Sequence, residues 1–108
     1  MRLALSLCSA GFAMIVVSSP GWAQETGEIL RGQILASTCF TCHGTDGVSP
    51  GAIPSIAGIP ADSLRRTLQE FRDGRRPSTV MGRHATGYSD AEIASIADYL
   101  SRVTREAP

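Results

Sequence analysis

Cys39-Phe40-Thr41-Cys42-His43 constrains the fold of this chain more than any other stretch of it. Two cysteines separated by two residues, with a histidine directly after the second, form the attachment signature of a c-type haem. Thiols three positions apart can each add across one vinyl group of a single porphyrin. The next residue is then carried under the iron, where His43 can supply an axial nitrogen. In so short a chain such a haem is the core of the fold rather than a passenger on it.

Two other chemistries use paired cysteines. A thioredoxin-like redox pair calls for a βαβ context, and no strand-like alternation precedes Cys39. A structural zinc site needs four ligands. Beyond residue 23 the chain offers only Cys39, Cys42, His43 and His84, and His84 is far from the spacing of a zinc finger. Covalent haem is the reading the residues favour.

The compartment agrees with it. Met1 and Arg2 form a minimal positive region, Leu3 to Val17 is apolar and broken only by small residues, and Ser18-Ser19-Pro20-Gly21-Trp22-Ala23 ends on a small residue. The pattern predicts a secretory signal peptide over residues 1–23, with residues 24–108 left as one monohaem domain in the periplasm. The competing reading is an uncleaved anchor, but a membrane span needs about 20 apolar residues, and this run stops at Ser18-Ser19-Pro20. Cys8 leaves with the peptide, and no membrane span remains after cleavage. The formal net charge is zero and every cation is an arginine, so there is no basic balance to support nucleic-acid binding.

Three helices are expected around the motif. The first runs from about Thr26, a possible cap, to Thr38, with Ile29, Leu30, Ile34 and Leu35 at helical spacing. Gly32 lies inside it at a cost of about 1 kcal/mol, which either a close helix crossing or a tolerated surface position accounts for. The second runs from about Ala61 to Arg72, with Leu64, Leu68 and Phe71 on one face and Gly74 as the stop. The third starts at the capping box Ser89-Asp90-Ala91-Glu92 and carries Ile93, Ile96, Ala97, Leu100 and Val103 on one stripe. Residues 44–60 are too rich in glycine and proline to form a long regular element. The plan is all-α: three main helices, with long loops wrapped around one haem.

Met81 is the only methionine after residue 23 and lies in a loop before the last helix. A neutral sulfur opposite His43 favours ferrous iron and raises the potential. The alternatives are a packing methionine and, for the sixth ligand, His84.

The residues assembled so far resemble the class I cytochromes c of bacteria over nearly all of residues 24–108. Cys39 to Gly47 is similar to that family's haem loop, and Pro54-Ser55-Ile56-Ala57-Gly58 to the segment after it. The resemblance implies that the Pro54 carbonyl accepts the Nδ1 proton of His43, and that Gly32 and Tyr99 mark the crossing of the first and last helices. Ser78 to Ser89 resembles the methionine loop in cytochrome subunits of flavocytochrome c sulfide dehydrogenases. Phe71-Arg72-Asp73-Gly74 and Ser49 to Ala57 are similar too. Some members of that family carry two haem domains, whereas this chain has one CxxCH.

The resemblance implies an electron-transfer subunit that is not itself an enzyme. Its partner would be a periplasmic FAD flavoprotein that oxidises sulfide. The alternatives are a free diffusible monohaem carrier and a protein using an open iron site. For the partner surface the expectation is Thr79 to Tyr88, including Arg83 and His84, with Val80 and Tyr88 as apolar contacts; in the run of arginines at 65, 66, 72, 75, 76 and 83, Arg65 and Arg66 read as a solvated helix face.

Overall fold

The first helix, α1 (Gly21–Ala36), begins five residues before the expected Thr26. Pro20, in the extended region at φ −65° and ψ 140°, sits at its start, where a proline ring costs no helical hydrogen bond. Thr26 is not a cap. Its hydroxyl donates back to the Trp22 carbonyl at 2.9 Å, a bond made inside a helix. The computed structural model describes residues 14–105, so the positive region and most of the apolar run of the expected signal peptide lie outside the described residues.

The haem motif is not a separate loop after α1. A 3₁₀ turn (Ser37–Cys39) and the one-turn helix α2 (Phe40–His43) continue the helical path with right-handed backbone at every junction. Gly44 ends the run at φ +83°, and a Cβ there would collide with the Val48 carbonyl. His43 is thus the last residue before a forced turn, with Cys39 and Cys42 fixed on the helical turn behind it.

The buried face of α1 differs from the expected one. Gly32, Ala36 and Cys39 are buried and Ile29 and Leu35 half-buried, whereas Leu30 and Ile34 are exposed. The face is chosen by α5 (Asp90–Arg102), which crosses α1 at Gly32. A Cβ on Gly32 would lie 2.8 Å from the Tyr99 Cβ and nearer still to the Ser95 carbonyl. The close-crossing account of this glycine therefore holds. Around the crossing, buried Ser95 donates to Glu28 at 3.2 Å, and Arg102 reaches Glu25 at 3.4 Å.

Helix α5 starts on the expected capping box, with Ser89 and Glu92 bonded reciprocally. It buries Ile93, Ile96, Ala97 and Leu100, but Val103 lies just beyond its end in extended backbone. Helix α3 spans Ala61–Arg72 as expected, and Gly74 follows at φ +72°. Its Leu64 joins Ala36, Ile96, Ala97 and Leu100 in one apolar cluster.

Residues 44–60 stay irregular apart from a 3₁₀ turn (Thr45–Gly47), and they are pinned from both sides. The Gly47 carbonyl accepts from the amides of Ile56 and Ala57, the Leu100 carbonyl accepts from Gly58, and Arg105 donates to the Ala57 carbonyl at 2.7 Å. Met81 does not sit in a loop: Met81–Ala85 forms a short helix, α4, in which the Ser78 hydroxyl accepts from the Gly82 amide at 2.8 Å. The described residues contain no strand, and none of their helices is long and apolar enough to cross a membrane.

Candidate haem site

Cys39, Cys42, His43, Pro54 and Met81 line one cavity of about 590 Å³, a size within the range of roughly 300–1,000 Å³ common for cofactor pockets. The end of the α1–α2 run brings the first three, the pinned loop brings Pro54, and α4 brings Met81. Leu64, Leu68 and Phe71 of α3 and Ile96 and Leu100 of α5 supply apolar walls. No periodicity in the sequence marked these wall residues as facing a ligand, because the same side chains also read as ordinary core.

His43 is buried, and its Nδ1 lies 2.7 Å from the Pro54 carbonyl oxygen. A carbonyl only accepts, so Nδ1 carries the proton and donates it. Nε2 is left with its lone pair, the tautomer that ligates a metal. Cys39 is buried and Cys42 exposed, and neither is in a disulfide. Burial pushes the Cys39 thiol up, so its sulfur keeps its proton near neutral pH.

An imidazole nitrogen, a thioether and two thiols thus face one apolar cavity, a donor set that fits a covalently held haem and its iron. The rival chemistries are not assembled. No strand flanks the cysteines, and no three His, Cys, Asp or Glu side chains come together in a metal-holding group among the described residues.

His84 also lines the cavity, one helical turn after Met81. Its Nε2 is 3.4 Å from the Thr38 hydroxyl, and its ring meets Tyr88 edge-on at 5.8 Å. Tyr88 departs from its expected part as a free apolar contact: it packs on the core, and its OH is 2.7 Å from the Thr38 oxygen. The run of arginines is largely paired. Arg65, Arg72, Arg75 and Arg76 are paired with Asp62, Asp73, Asp90 and Glu70, which leaves Arg66 and Arg83 without a carboxylate partner among the described residues.

Comparison with known proteins places this chain in a family. The family model for cytochrome c matches residues 29–104. The chain is 47% identical over 76 residues to the cytochrome subunit of sulfide dehydrogenase from Chlorobaculum tepidum, covering 70% of this chain and 69% of that one. It is 38% identical to cytochrome c-554(548) of Halomonas halodenitrificans, covering 69% of this chain and 95% of the relative. Cytochrome c4 of Pseudomonas aeruginosa is 33% identical over 82% of this chain, which spans only 44% of that protein. By the match and the fold together, the chain belongs to the cytochrome c family, as an all-α class I electron-transfer protein with covalently attached haem c.

Proposed function

We propose that this chain is the haem-bearing subunit of a sulfide-oxidising flavocytochrome, taking electrons from an FAD flavoprotein that carries out the catalysis. The 47% identity to a cytochrome subunit of sulfide dehydrogenase carries the reading. Cys39 and Cys42 would hold the porphyrin through thioethers, and His43 and Met81 would supply the ligands to its iron. Bound there, the haem supplies a one-electron iron centre. Pro54 keeps His43 in the ligating tautomer through the 2.7 Å bond to Nδ1. The apolar walls from α3 and α5 exclude water and favour the less charged ferrous site. His84 is not the sixth ligand in this reading, because its Nε2 is turned to Thr38.

The protein works in the periplasm after loss of residues 1–23. Removal of Gly21–Ala23 takes only the exposed first turn of α1 and uncovers none of the core. The docking face is the cavity mouth, where Val80 is 61% and Ile53 44% exposed. Gel filtration of host periplasm at low and high salt tests the assembly, because a lasting interface survives salt that disperses a charge-steered encounter. Coelution with a flavin absorbance in both conditions is expected. Elution alone at monomer size in both favours a free diffusible carrier, the second reading. That reading draws on cytochrome c-554(548), 95% of whose length is matched by a domain of this size.

A further inference from the structure

We infer that Thr38, with Tyr88 and His84, is a latch that holds the methionine segment closed against the haem-motif helix, making Thr38 and Tyr88 positioning residues for Met81. The inference rests on the axial role proposed for Met81. Met81 and the cysteine-bearing turn belong to segments about forty residues apart in sequence, and the ligand set is complete only when they stay together. Among the described residues, the bonds from Thr38 Oγ1 to Tyr88 OH at 2.7 Å and to His84 Nε2 at 3.4 Å are the only side-chain hydrogen bonds joining residues 37–43 to residues 78–88. On its other side, α4 packs on α3, where Gly82 lies against Phe71, and the Ser78 hydroxyl accepts from the Gly82 amide.

The proton arrangement is consistent. Thr38 has one hydroxyl proton, and the Leu35 carbonyl 3.1 Å away takes it. The Thr38 oxygen then accepts from Tyr88 OH and from the N–H of the Nε2 tautomer of His84. Thr38 immediately precedes Cys39, so covalent attachment of that cysteine would anchor the fixed half of the latch. Ala85, the buried residue of α4, lies between His84 and Tyr88 and accepts from the Tyr88 amide at 3.2 Å. Met81 lies one helical turn before His84 and seven residues before Tyr88, which stands beyond the end of α4. Opening the latch frees the thioether end of α4 without unfolding α3 or α5.

Imidazole binding to the purified ferric holoprotein reads this directly, since added imidazole competes with Met81 for the iron. Thr38→Val and Tyr88→Phe keep the shapes and remove the bond. Each should tighten imidazole binding by about fivefold, the effect of one typical net hydrogen bond on an opening equilibrium. Thr38→Ser should restore parental affinity. The double variant should bind no tighter than Thr38→Val alone, because Tyr88→Phe removes a bond that Thr38→Val has already removed. Parental affinity in both single variants overturns the latch, including when their thermal midpoints fall, since that marks an ordinary stabilising contact. A parent lacking the weak far-red sulfur-to-iron band, with imidazole affinity unmoved by Met81→Ala, overturns the ligand reading and the latch with it.

Discussion

Gly32→Ala and Gly27→Ala put one methyl on the same helix, and the structure gives them opposite signs. At Gly27 an added Cβ meets nothing within 4 Å, so the change should recover helix propensity of up to about 1 kcal/mol. At Gly32 the new carbon would stand 2.8 Å from the Tyr99 Cβ, 3.1 Å from the Ser95 carbonyl carbon, and nearer to the Ser95 oxygen. Carbons pack at about 3.5–4.0 Å, so α1 and α5 would have to part by several tenths of an ångström. The obstacle is mostly backbone, which cannot rotate away as a long side chain can. Overpacking of this kind costs about 1–3 kcal/mol. With the obstacle rigid and about 1 kcal/mol regained in propensity, a net loss of about 2 kcal/mol is expected. In a domain of this size that lowers the thermal midpoint by roughly 10 °C. Thermal unfolding of the holoprotein, followed by far-ultraviolet circular dichroism, measures both variants. A Gly32→Ala protein as stable as the parent would refute the crossing argument.

Mass spectrometry of protein from host periplasm should show one haem added to a chain beginning near Gln24; an unmodified mass with intact thiols contradicts attachment at Cys39 and Cys42. Met81→Ala should abolish the far-red band of the ferric protein and lower the potential, while His84→Ala keeps the band; the reverse pattern reassigns the ligand. Acid stability follows the carboxylates. Hydrogen bonds from Arg72 hold Asp73 and Asp90 below their ordinary values, and the Ser89 amide does the same for Glu92. Groups lowered in the folded state lend stability above their unfolded pKa, about 4, and lose it as pH falls through the folded value. Asp90→Asn should therefore flatten the fall of thermal midpoint below about pH 4, and an unchanged slope would remove Asp90 from that account.

Local signals were enough to read much of this protein from its sequence. The haem motif, the bounds of α3, and the capping box and buried stripe of α5 each depend on residues within one or two turns of one another. Such short-range chemistry is nearly the same in the chain as in the fold. The choice of buried face on α1 was not readable in this way. Two overlapping apolar stripes were available, and only the close approach of α5 at Gly32 turned Ile29 inward and left Leu30 and Ile34 in solvent.

The helical form of Met81–Ala85 is likewise a tertiary result. Five residues are too few to offset helix nucleation alone, and a bond from the Gly82 amide to the Ser78 hydroxyl, with packing on α3, makes up the difference. The same holds for the arginines from 65 to 83, whose basic surface is largely cancelled by carboxylates, one of them Asp90 on another helix. Thr38 meets His84 and Tyr88 across 46 and 50 residues, a separation over which sequence pattern carries no register. The sequence by itself determined which groups could bind a haem. Tertiary packing decided which face of α1 turns inward, and how the methionine segment is held against the cysteine-bearing turn.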